Sequence, residues 1–192
     1  MRRLLLALPF ALLPLAVAQA NEHNHTHADD HAEHGSLDAH EHGAARLNVV
    51  LDGQALELEL ESPAMNLVGF EHAAESDADK AKVAAARSQL QDPQALFGLS
   101  AGDCSLSEAE LESALFEDDE HEEHHDHDEG SEHSEIHAHY QLDCKKPGEL
   151  KQLNLSELFK RFPATEKIQV QLIGPNGQQG VELMPAKPSL SF

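Results

Sequence analysis

The chain has no tryptophan, one tyrosine, two cysteines and only 13 lysines and arginines against 35 aspartates and glutamates. Each shortage excludes something. So few basic residues, with a formal charge of −22, argue against nucleic acid or anionic lipid as a partner and for cations or a basic protein surface. A zinc hydrolase needs three protein ligands, an open position and a general base. No HExxH motif and no serine or cysteine nucleophile arrangement is present, so the chain is read as a non-enzyme. Three methionines are too scattered for a copper(I) site. Beyond the first twenty residues no segment is apolar enough to span a bilayer.

Those first residues carry their own signal. Arg2 and Arg3 precede the almost wholly apolar run Leu4 to Val17, and Ala18-Gln19-Ala20 supplies a small-x-small cleavage site. An uncleaved anchor is the competing reading, but the run is short for a span of ~20 residues. Residues 1–20 are therefore read as a signal peptide cut near Ala20, delivering the protein to a Gram-negative periplasm. In that oxidising compartment Cys104 and Cys144 are expected to form one disulfide. A zinc site using both thiolates is the alternative.

What the chain has in excess is histidine, fifteen in all. Most fall in two acidic runs, Asn21 to His42 and Glu117 to His139. Neutral imidazole is the commonest protein ligand for borderline divalent metals, and interspersed carboxylates add oxygen ligands. Within the runs, His23, His25, His27, His31 and His34, and His121, His124, His125, His127 and His133, lie among too few apolar residues to order themselves. They are candidate ligands in flexible tracts that wrap ions in many weak arrangements. A solvated acidic loop with incidental histidines is the bland alternative.

The rest reads as α+β, a mainly antiparallel β-sheet with two or three short helices and a disordered acidic His-rich loop at 117–134. A His-rich tail over 21–39 precedes a metal-binding α+β domain over 40–192. Ala45 to Leu51 and Ala55 to Glu61 alternate apolar and polar residues around Asp52-Gly53, a hairpin signal, and Ser62-Pro63 ends the ladder. Asp77 to Gln91 has helix-forming composition with an acidic start, Asp92-Pro93 stops it, and Pro93 opens a short turn through Phe97. Gly98 to Gly102 is a loop. A strand from Cys104 alternates imperfectly, which allows a bulge or a partly helical section. Ile136 to Cys144 alternates cleanly, with His137 and His139 opposite the apolar face. Paired as a hairpin, these two strands bring the cysteines together at its open end, and the bridge would contribute roughly 3–4 kcal/mol. Leu155 to Phe162 is a short helix with Ser156 as its cap, Lys167 to Ile173 a strand, and Gly180 to Met184 its return.

An ordered site needs histidines on rigid elements. His40 and His42 share a face if the first strand begins early, as do His137 and His139. Side chains at i and i+2 project about 7 Å apart, from a rise of ~3.4 Å per residue. Two such pairs, or one with the isolated His72, could supply three or four nitrogens at ~2.0–2.1 Å from a tetrahedral Zn²⁺. Histidine with carboxylate suits zinc, nickel and copper(II). Binding needs neutral imidazole, so affinity falls as pH drops below about 6.5.

The motifs His40-Glu-His-Gly-Ala, Glu61-Ser-Pro-Ala-Met-Asn-Leu-Val-Gly-Phe-Glu-His72, His137-Ala-His-Tyr-Gln-Leu-Asp-Cys144 and Leu158-Phe-Lys-Arg-Phe-Pro163 run along the whole mature chain. In that order they resemble the ZrgA-type family of periplasmic zinc-uptake proteins. The resemblance implies a zinc-binding accessory to a high-affinity zinc ABC importer or its periplasmic binding protein, with Zn²⁺ as cargo. It strengthens His72 and the two HxH pairs as ligand candidates. The competing reading is a buffer or tolerance protein that holds excess zinc, nickel or copper.

Overall fold

Leu56, Leu58 and Leu60 alternate with Glu57, Glu59 and Glu61, and the strand they form, β2 (Ala55–Pro63), buries each leucine at or below 1% exposure. Full burial of a leucine is worth about 2 kcal/mol, so this face of the strand is firmly specified. The computed structural model describes residues 41–116 and 134–192. The expected signal peptide, the His-rich tail, His40 and residues 117–133 lie outside the described residues. β1 (Ala44–Asp52) pairs with β2 antiparallel, Asp52 opposite Ala55, so the two-residue turn is Gly53-Gln54, one position later than expected. Gly53 supplies the positive φ of 59° that this turn needs.

Ser62 and Pro63 stay in the ladder before it gives way to the short helix α1 (Ala64–Leu67). α2 (Asp77–Leu90) begins as its composition predicts: the Ser76 hydroxyl accepts from the Asp79 amide, and Asp77 and Asp79 occupy the first turn. Pro93 opens α3 (Pro93–Leu96), and the expected loop after it tightens into a 3₁₀ turn at Ser100–Gly102. β3 (Cys104–Glu112) and β4 (Glu135–Cys144) form the expected antiparallel pair, with Cys104 directly opposite Cys144 and bonded to it. α4 (Ser156–Arg161) corrects one expectation. Ser156 is its first helical residue, not its cap, and Asn154 Oδ1 accepts from both the Ser156 amide and hydroxyl. β6 (Lys167–Gly174) is followed by β7 (Gly177–Leu183), which starts earlier than expected.

The main sheet runs β3-β4-β2-β1-β6-β7. All its pairs are antiparallel except β1 with β6. A second, two-stranded sheet pairs β5 (Gln152–Asn154) with β8 (Ser189–Ser191). One face of the main sheet and the apolar residues of the helices share a single core that includes Leu47, Leu58, Val83, Leu90, Tyr140, Leu158 and Val170. The Tyr140 hydroxyl donates to the Leu90 carbonyl at 2.7 Å and its ring meets Phe97 edge-on, so β4 is pinned to α2 through its middle. Burial pushes the Tyr140 phenol well above its ordinary pKa.

A bulge decides which way β3 faces. Cys104 and Leu106 oppose Cys144 and Leu142 on the core side of the sheet, and strict alternation would put Glu108, Glu110 and Glu112 on that same side. The register instead shifts between Leu106 and Glu108, leaving Ser107 as the extra residue, and its hydroxyl bonds the Gln141 carbonyl at 2.8 Å. Ala109 and Leu111 then face the core side and the three glutamates turn outward. Deletion of Ser107 is expected to close the bulge into a regular ladder, with Leu106 still opposite Leu142 and Glu108 opposite Gln141, so that Cys104 stays bonded to Cys144 and the glutamates stay outward. Thiol titration should find no free cysteine, and the unfolding midpoint should fall by no more than about 3 °C, the equivalent of losing one hydrogen bond of ~1 kcal/mol.

Candidate metal centre

Period-two alternation in β4 buries Ile136, Ala138, Tyr140 and Leu142 and sends His137, His139, Gln141 and Asp143 to the other face of the sheet. There the register builds mixed rows across three strands. Glu61 of β2, His137 and Glu112 of β3 form one, and Glu59, His139 and Glu110 the next. Directly opposed Cβ atoms on adjacent strands lie ~4.5–5.5 Å apart, so each imidazole has a carboxylate within side-chain reach on both flanks. Glu135 adds another, 3.4 Å from His137 Nε2. On the β2 side Arg46 lies 3.6 Å from Glu61, and Asn48 donates to Glu59 at 3.1 Å. Among the described residues Glu108, Glu110 and Glu112 make no ion pair.

The other two described histidines sit at the end of this sheet where β1 begins. β1 does not start early enough to carry His42, which occupies the turn before Ala44, so the expected strand pair with His40 is not formed by β1. Gly43, at φ 83°, closes that turn, because its amide must reach a buried acceptor. The acceptor is Asn66, 2% exposed, whose Oδ1 takes the Gly43 amide at 2.7 Å while its Nδ2 donates to the Ala44 carbonyl and the Ser62 hydroxyl. On the opposite side the Gly43 carbonyl accepts from the Glu166 and Lys167 amides, and the neighbouring Glu41 pairs with Lys167 at 3.1 Å, which holds that lysine above the ordinary range. Sequence reasoning passed over Asn66. Its only signal was a polar residue inside the apolar run Ala64 to Val68.

Held this way, His42 Nε2 meets Glu71 Oε1 at 3.0 Å, and the Glu71 side chain is only 8% exposed. A carboxylate can only accept, so Nε2 carries the hydrogen in this contact. His72 is stacked on Phe70 at 4.7 Å, and Lys82 Nζ lies over the same Phe70 ring at 5.4 Å from its centroid. His72 Nδ1 lies 2.9 Å from the Ala73 carbonyl. A carbonyl cannot donate, so Nδ1 holds the proton and the neutral ring presents its lone pair at Nε2. This backbone-fixed tautomer is the usual arrangement of a ligating histidine.

The chain points bordering both His-rich tracts gather on the segment Glu71–Glu75. His42, the last histidine of the first run, contacts the Glu71 carboxylate. Ser134, where the chain resumes after the second tract, donates its hydroxyl to the Glu71 carbonyl at 2.8 Å, and its own carbonyl accepts from the Ala64 amide. Phe116, the last residue before that tract, lines a hollow together with Ala73, Ala74, Glu75 and α2. A neighbouring hollow collects Arg87, Glu112, Glu135 and His137. Among the described residues no three side chains of His, Cys, Asp or Glu converge tightly enough to hold an ion as they stand.

The ZrgA family zinc uptake protein profile matches residues 39–192. The chain belongs to this family, and a zinc-related role follows. No curated protein matches the chain. No helix among the described residues is long and apolar enough to cross a membrane.

Replacing Asn66 with alanine strands the buried Gly43 amide and frees the turn that carries His42. A loss of about 1–3 kcal/mol in stability is expected, measured by urea unfolding.

Proposed function

We propose that the protein is a periplasmic zinc-capture protein, exported by a signal peptide cut near Ala20, that collects Zn²⁺ and assists its uptake by a zinc ABC importer. The observation that carries this reading is the gathering of both tract junctions on Glu71–Glu75, beside His42 and His72. Ions attracted to the acidic tracts are then delivered to one end of a rigid sheet. From there the imidazole–carboxylate rows of β4 offer the next ligands.

The tracts and the folded part have different tasks in this scheme. His23–His34 and His121–His133 supply capacity and fast exchange, since an ion held in many equivalent ways leaves any one of them easily. His72, with its tautomer fixed, and His137 and His139, on a strand pinned by Tyr140, supply preorganised nitrogens. Glu59, Glu61, Glu110, Glu112 and Glu135 supply oxygens that small side-chain rotations bring to the ion. His42 completes the set at the junction, with His40 a further candidate two positions earlier in the chain. The excess of acidic residues suits a basic surface on the importer or its binding protein.

The buffer reading draws on one specific observation, that no three described side chains converge on an ion position without moving. A zinc titration against a competing chelator separates the two. The mature chain is compared with a form lacking His23–His34 in which Glu117–His133 is replaced by a short Gly/Ser linker. One tight site is expected to survive the deletion. It should weaken in a His137→Ala/His139→Ala variant by more than the ~10–100-fold typical of losing an outer-shell partner. Disappearance of all binding with the tracts would make the protein a buffer.

A further inference from the structure

β3 and β7 are the two edges of the main sheet, and they are built differently. β3 buries only Cys104, and its other residues are exposed except the half-buried Leu111. β4 is its one strand partner. The two are joined by the ladder, by the disulfide at one end, and by hydroxyl–carbonyl bonds from Ser107 to Gln141 and from Ser113 to Glu135. Past the bulge, each outward side chain of β3 is a carboxylate without an ion pair among the described residues. Two of them, Glu110 and Glu112, stand directly opposite His139 and His137. β7, by contrast, adjoins β6, whose outward Gln169 and Gln171 bear no charge and no imidazole.

We propose that zinc held between β4 and β3, by His137 and His139 on one side and Glu112 and Glu110 on the other, clips the far half of β3 to the sheet. β3 becomes an edge strand whose order reports metal occupancy. The clip rests on the zinc-capture reading and adds to it a physical difference between empty and loaded protein. Without the ion, the segment beyond the bulge keeps few buried contacts and three adjacent like charges, the properties of a locally opening segment. With the ion, opening requires breaking a metal–carboxylate bond. The disulfide limits the change to Ser107–Glu112, because Cys104 stays fixed to Cys144 in either state.

Hydrogen exchange on the mature chain tests the clip, with zinc buffered at about ten times Kd and chelator competition run on the same samples. If opening of β3 abolishes binding, its amides slow by about tenfold at that zinc level. The expected result is this slowing over Ser107–Glu112, none in β7, and none in a Glu110→Gln/Glu112→Gln variant whose metal-free β7 rates match the parent. Equal slowing in β7 would mean general stabilisation and overturn the clip. Slowing that persists in the variant would assign the effect to the tracts and overturn it too. Zinc bound by competition with β3 unchanged would end the clip while leaving zinc capture intact. Absence of zinc binding would remove both.

Discussion

The structure depends on the two faces of one strand. β4 is central to its half of the sheet, with β2 on one side and β3 on the other, and its period of two residues divides buried from outward-facing side chains without exception from Ile136 to Leu142. The inward set, above all Tyr140 bonded to α2, makes the strand rigid. The outward set, His137 and His139 included, stands on that rigid backbone. A shift of one residue in either flanking ladder would exchange the faces. The chain guards against this with the leucines of β2 and with the bulge at Ser107, which re-phases β3 so that its carboxylates join the histidines.

Much of this was legible before any coordinates. Alternation in Ala55 to Glu61 and Ile136 to Cys144 named the strands and their buried residues, because each has one wet face and one dry one. The helix-forming composition of Asp77 to Gln91, its acidic start and Asp92-Pro93 marked the helices, while the Ser76 cap was not read from the chain. What escaped was non-local or satisfied by a single residue. The parallel pairing of β1 with β6 joins segments more than a hundred residues apart and leaves no mark in either one. The small sheet of β5 and β8 is too short, at three residues a strand, to show a pattern.

The candidate site was legible in chemistry and less so in place. Histidine content and the HxH and GFEH motifs pointed to zinc, and the family match over residues 39–192 bears out that association. The condition under which His40 and His42 would share a strand face, an early start to the first strand, is not met, because Gly43 and Asn66 form a turn before β1 begins at Ala44. The part played by Glu59, Glu61, Glu110 and Glu112 could not be read from the chain. A glutamate on an exposed strand face is ordinary, and only the register shows that these flank imidazoles.

The bond between Cys104 and Cys144 spans 40 positions, and the whole second His-rich tract lies inside the ring it closes. Any peptide bond cut between Phe116 and Ser134 therefore falls inside that ring. A single scission there yields two polypeptides but one molecule, because the sulfur bridge holds the pieces and the β3–β4 ladder keeps them aligned. The protein can therefore lose continuity between Phe116 and Ser134 without shedding an edge of its sheet.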